Sequence, residues 1–141
     1  MTEKLTPMLH AAQNRCFGCG AANPIGLCLE FSLAPDGSVV CEKTVADLYE
    51  GPPGLVHGGI IATLLDEIMS KTVRALGIRA VTRTLEVQYL RPVHSQTPLR
   101  MEARLVRKEG RKHWTEARLL DADGKLRAQS TGLFIEVPGQ V

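Results

Sequence analysis

A chain of 141 residues, 44% hydrophobic and 23% charged, is long enough to bury one core without covalent staples and reads as a single globular domain. A net charge of +2 and only 4% aromatic residues supply neither the electrostatic footprint nor the stacking platforms of a nucleic-acid binder. No run approaches the roughly 20 apolar residues of a membrane span, and the opening Met1-Thr2-Glu3-Lys4-Leu5-Thr6-Pro7 lacks a signal-peptide pattern. The expected location is cytoplasmic, with all four cysteines reduced.

Residues 1–15 form a polar, weakly patterned lead-in, and residues 16–141 are expected to make the domain. Cys16-Phe17-Gly18-Cys19-Gly20 opens a loop rich in Gly, Asn and Pro. A structural zinc site needs four ligands, and no second Cys-x-x-Cys or histidine pair follows. A redox motif should open a helix after a strand, which this one does not. The motif is therefore read as a structural loop, with no metal and no cofactor expected.

Leu27, Leu29, Phe31 and Leu33 alternate as a strand that ends at Pro35-Asp36-Gly37, and Val39 to Ala46 reads as its partner. Cys28 and Cys41 fall within these strands, where thiols behave as small buried apolar groups. Glu50-Gly51-Pro52-Pro53-Gly54 is loop.

A helix is predicted from Gly58 to Leu76, stopped by Gly77. At ~100° per residue, Ile60, Ile61, Leu64, Leu65, Ile68, Met69 and Val73 share one broad arc, with Ala62, Ala75 and Leu76. Thr63, Glu67, Ser70, Lys71 and Arg74 lie opposite, so Glu67 is expected to be solvated and to pair with Lys71. Asp66 falls at the seam between the two faces, where partial desolvation favours the protonated carboxyl and raises reactivity. Strands follow at Val81–Leu90, Leu99–Val106, His113–Leu120 and Lys125–Val137, the last two joined by the turn Asp121-Ala122-Asp123-Gly124. One helix with two strands before it and four after cannot build a βαβ sheet. It implies an α+β domain in which an antiparallel sheet wraps the helix.

Taken singly, His57 reads as a helix cap, Gly58-Gly59 as a close-packing device and Asp66 as an interface aspartate. Taken together, Gly-Pro-Pro-Gly-x-x-His57-Gly58-Gly59 followed by Leu-Leu-Asp66, with Tyr89-Leu90-Arg91-Pro92 on the next strand, resembles the hotdog-fold acyl-CoA thioesterases. The similarity is greatest to the PaaI-like and THEM-like branches and spans about residues 16–137. It implies a hotdog fold of about five to six strands around a long central helix. The implied activity is hydrolysis of an acyl-CoA thioester to free acid and CoA, by homodimers that assemble as tetramers. It further implies Asp66 as nucleophile or general base, His57 at the site rim, a backbone N–H of Gly58 or Gly59 as oxyanion donor, and Thr82 as the hydroxyl that orients water. Many relatives of the phenylacetate type carry asparagine six residues before the histidine, where this chain has Gly51. Gly54 and Arg91 are the substrate-binding candidates. Arg107, Lys108, Arg111 and Lys112 are weaker candidates for the CoA phosphates, being charges of a solvated turn. Trp114 is expected in the core or an interface.

The roles also fix an assembly. Eight residues of straight helix separate Gly58 from Asp66 by roughly 12 Å, so one subunit cannot present both to one acyl carbon. Two other functions fit the same fold. A non-hydrolytic acyl-CoA-binding protein is the main alternative. A hydratase would want Asp and His on one loop–helix unit, and Asp47 stands ten residues before His57 across the Gly-Pro-Pro-Gly loop, which argues against it.

Overall fold

A computed structural model describes residues 4–138; residues 1–3 of the lead-in and 139–141 of the expected domain lie outside the described residues. The described residues form the strands β1 (Thr6–Pro7), β2 (Ser32–Leu33) and β3 (Val39–Thr44), the helix α1 (Gly58–Arg74), then β4 (Ala80–Tyr89), β5 (Pro98–Glu109), β6 (Lys112–Leu120) and β7 (Leu126–Glu136). They make one sheet in the order β1-β2-β3-β5-β6-β7-β4, antiparallel at every pairing. The helix crosses this sheet and touches β3, β4, β5, β6 and β7. This is the α+β hotdog arrangement.

The helix forms because its buried residues Ile61, Leu64, Leu65, Ile68, Met69, Thr72 and Val73 recur every three or four positions and close one face. Against them the sheet presents alternate residues, among them Met101, Ala117, Leu119, Ala128 and Phe134, all nearly inaccessible. Gly132 sits where α1 crosses β7. A Cβ there would lie 3.0 Å from the Phe134 ring and 3.1 Å from Met69 Cε, so only glycine lets helix and sheet approach this closely. The helix ends at Arg74 rather than Leu76, because Gly77 takes the left-handed conformation (φ 78°) and its N–H closes on the Arg74 carbonyl. Ala75 and Leu76 are consequently exposed.

Two strand expectations change. Leu27, Leu29 and Phe31 are buried as the alternation requires. Cys28 between them has φ 51°, however, which breaks the ladder and leaves β2 only two residues long. Cys28, between the inward-facing Leu27 and Leu29, is exposed rather than buried. Cys41 does lie buried on β3, and burial pushes its thiol up to about 12. The lead-in contributes β1, which pairs with β2. No described helix is long and apolar enough to cross a membrane.

β4 lies at the sheet edge, paired on one side with β7 only. Its residues are almost all exposed, including Val81 at 49%, Leu85 at 37% and Tyr89 at 54%. An open edge ten residues long carrying apolar side chains is an unusual thing to leave to water.

Candidate active site

The loop before α1 is tied at each step. Val56 N–H donates to the Val93 carbonyl, His57 N–H to the Tyr49 carbonyl, and Gly51 N–H to the Leu55 carbonyl. The Ser95 hydroxyl donates to Glu50, and this bond and the Gly54 amide hold the Glu50 carboxyl below its ordinary range. Gly54 occupies a left-handed turn (φ 82°) and is exposed. Gly51 lies against His57, where a Cβ would stand 3.4 Å from His57 Cα.

This loop delivers His57 as the N-cap of α1: its Nδ1 accepts the Gly59 N–H at 2.9 Å. Histidine thus does what Ser, Asp or Asn usually do at a helix start. The Gly59 amide is therefore occupied, whereas the N–H of Gly58 meets no acceptor among the described residues. At the first turn of a helix such a group carries the positive end of the dipole. The Gly58 carbonyl accepts the Tyr89 hydroxyl at 2.8 Å, which pins the helix start to the end of β4. Removing the His57 cap should cost about 1 kcal/mol. His57→Ala is accordingly expected to lower Tm by roughly 2–4 °C, while His57→Asn, which restores an N-cap acceptor, holds Tm near that of the natural protein in a calorimetric scan.

Asp66 lies two turns further along the same unbroken helix and is half-buried, as the wheel placed it. Its Oδ1 accepts the Thr82 hydroxyl of β4 at 2.7 Å. That bond fixes the carboxylate's rotation and leaves Oδ2 without a hydrogen-bond partner among the described residues. Thr82 stands beside a β-bulge between Thr82 and Thr84 on β4. So the structure brings together Thr82 with Asp66, and His57 with Gly58 and Gly59, as two separate groups. Both flank β4, with Tyr89 at one end and Thr82 at the other.

Arg91 follows β4 immediately and is exposed; its backbone N–H is held by the Arg127 carbonyl. Arg107 is committed to Glu109 at 2.6 Å and to the Trp114 ring at 4.0 Å, and Arg111 to the Glu136 carbonyl at 2.8 Å. Trp114 is half-buried beneath Arg107, beside a surface depression that Leu85, Val106 and Leu133 also line. Sequence reasoning gave Tyr89 no role. The motif around it was visible, but its bond to Gly58 spans 31 residues and has no local signature.

Glu67 departs most from expectation. It does not pair with Lys71 in solvent, because the loop from Asn14 to Gly20 folds over that side of the helix. Glu67 instead accepts the Cys16 thiol at 3.4 Å, and Lys71 Nζ reaches Cys19 Sγ at 3.3 Å and lies 5.5 Å from the centre of the Phe31 ring.

Residues 53–128 match the sequence profile of the thioesterase superfamily. Over 103 residues the chain is 34% identical to acyl-coenzyme A thioesterase THEM4 of Rattus norvegicus, a match covering 68% of this chain and 44% of that protein. The chain thus spans less than half the length of this curated relative, and 45% of the Xenopus laevis counterpart, to which it is 31% identical over 70% of its own length. Among solved structures, a thioesterase superfamily protein superposes with a TM-score of 0.80 at 31% identity, covering 88% of this chain and 60% of that one. A Bacillus halodurans protein solved with CoA superposes at 0.74 with 29% identity, covering 84% and 80%.

Proposed function

Because the chain belongs to the thioesterase superfamily, we propose that it hydrolyses acyl-CoA thioesters at a site shared between two copies of itself. The observation that carries this reading is the continuity of α1. Gly58, whose amide is free to stabilise an oxyanion, and Asp66, whose carboxylate is aimed by Thr82, stand on one rigid helix roughly 12 Å apart. Both also flank the open edge of β4. Antiparallel pairing of β4 with a second β4 about a two-fold axis near Leu85 and Glu86 sets Tyr89 opposite Thr82 of the partner subunit. The Gly58 end of one protomer then faces the Asp66 end of the other, twice per dimer. The same pairing covers Val81, Leu85 and Tyr89, and it satisfies the unpaired backbone of the edge strand.

In this site the thioester oxygen takes the Gly58 N–H, where the helix dipole favours developing negative charge. Asp66 Oδ2 either accepts a proton from water as that water attacks the acyl carbon, or attacks the carbon itself to give a mixed anhydride that water then cleaves to free acid and Asp66. Collapse of the tetrahedral intermediate expels the CoA thiolate. Glycine at 58 lets the carbonyl come close, and the Tyr89 hydroxyl on the Gly58 carbonyl keeps that first peptide in place. His57 holds the Gly59 amide and so sets the helix start, acting at the rim rather than on the acyl carbon. Arg91, exposed past the end of β4, is the cation offered to the CoA phosphates. The depression between Leu85, Val106, Trp114 and Leu133 offers a second contact through which dimers assemble as a tetramer. The working location is cytoplasmic, where CoA thioesters are available.

Thiol release from short, medium, long and aryl acyl-CoAs tests the proposal. Turnover of at least one class is expected. Binding without thiol release would instead establish a non-hydrolytic acyl-CoA-binding protein.

A further inference from the structure

The thiols of Cys16 and Cys19 and the carboxylate of Glu67 converge outside the proposed active site, with all donor atoms within 4.8 Å of one another. Cys16 and Glu67 are 51 residues apart in sequence, so this third donor could not be read from the Cys-x-x-Cys motif. The spacing suits one small ion. Tetrahedral zinc with Zn–S near 2.3 Å and Zn–O near 2.0 Å sets sulfur and oxygen about 3.5 Å apart. Cys16 Sγ and Glu67 Oε1 stand 3.4 Å apart.

The surroundings are built to hold these donors together. The Gly20 N–H closes a tight turn on the Cys16 carbonyl at 2.8 Å, and a Cβ on Gly20 would approach Cys16 N to 2.4 Å. A Cβ on Gly18 would stand 2.6 Å from Glu67 Cγ, so glycine there is what admits the carboxylate. Asn14 fixes the turn by accepting the Cys16 N–H at 3.0 Å. Cys19 Sγ meanwhile receives two donors, Asn14 Nδ2 at 3.4 Å and Lys71 Nζ at 3.3 Å. Two N–H groups aimed at one buried sulfur suit a metal-bound thiolate better than a thiol, as supporting bonds around metal ligands do. Charge also balances. Two thiolates and a carboxylate exceed a divalent ion by one negative charge, and the Lys71 ammonium supplies the opposite one.

We propose that Cys16, Cys19 and Glu67 bind a zinc-class divalent ion that clamps the N-terminal loop onto α1. Soft thiolates select zinc over magnesium or calcium. The three donors leave a fourth position to water. The clamp grips the residue next to Asp66, yet it does not depend on the thioesterase reading.

The test is metal content and cobalt spectroscopy on the full chain. Protein grown with added zinc should carry about one zinc per chain by mass spectrometry of the digested sample. After chelation, titration with Co(II) should produce thiolate-to-cobalt charge-transfer absorption that saturates at one equivalent. Glu67→Gln, which keeps its shape and removes one anionic ligand, should weaken zinc binding about 10-fold or more against a chromophoric chelator. Cys16→Ser, which leaves one thiolate ligand, should weaken cobalt binding and lower the charge-transfer absorption per bound ion. Zinc-free protein with no charge-transfer band would overturn the proposal. So would a Cys16–Cys19 disulfide recovered under reducing purification, or both thiols reacting with a disulfide reagent equally fast with and without zinc. Because metal is read directly, these outcomes stand whether or not thioester is hydrolysed.

Discussion

Asp66→Asn should reduce kcat for acyl-CoA hydrolysis by about 10²–10⁴-fold, the range expected when a positioned proton acceptor is removed. The fold should be unchanged. Asparagine keeps an oxygen in the place of Oδ1, so the Thr82 hydroxyl that now donates at 2.7 Å retains its acceptor. Only the basic lone pairs are lost. KM is expected to move little, because no part of the proposed CoA contact passes through this carboxyl. Thr82→Val should act in the same direction and more weakly, since it frees the carboxylate to rotate without removing it. The pair therefore separates positioning from chemistry. Stopped thiol-release assays with circular dichroism on the same samples decide the matter. Near-normal turnover by Asp66→Asn would remove Asp66 from the mechanism.

What could be read from the sequence was whatever local periodicity encodes. The buried arc of α1, its stop at Gly77 and the alternation of β5, β6 and β7 all follow from spacing alone, and the seam position of Asp66 follows from the same wheel. Features set by distant packing were not legible. Glu67 and Lys71 looked like a solvated pair because nothing in the helix itself reveals that the Cys16–Cys19 loop folds across them. Cys28 fits a strand pattern by its neighbours, yet it takes φ 51°, which no local periodicity signals. Within the site, the wheel found an acid at the seam of the two helix faces; Thr82 came only from the family resemblance and Tyr89 received no role, their bonds to the helix spanning 16 and 31 residues. Nor could the wheel choose between Gly58 and Gly59. That choice came from the His57 side chain, which takes one amide and leaves the other. Capping was the plainer reading of a lone histidine, and here it bears directly on which donor is free.

Gly58→Pro should remove the oxyanion donor and crowd the carbonyl's approach while leaving the helix start intact, lowering kcat by about 10²–10³-fold or more. Proline is favoured at the first position of a helix, where its missing N–H breaks no internal bond. The residue before it must be extended, and His57 already is, with φ −57° and ψ 138°. A Cβ at this position would meet the Tyr89 ring at 3.7 Å, an ordinary contact. Loss of activity with an unchanged melting temperature would thus report on the Gly58 end of the site rather than on the fold. The decisive use of the variant is in mixture. If each site joins Gly58 of one protomer to Asp66 of the partner subunit, Gly58→Pro and Asp66→Asn chains carry complementary defects. Random exchange of equal amounts makes about half the dimers mixed, each with one site intact in both halves, so about a quarter of natural activity should return. Sites built within single chains would gain nothing from mixing, because every chain would still carry its own lesion. Activity that stays at the level of the separate variants, after exchange is confirmed by mass, would show that one subunit supplies both groups and that α1 does not act across the β4 edge.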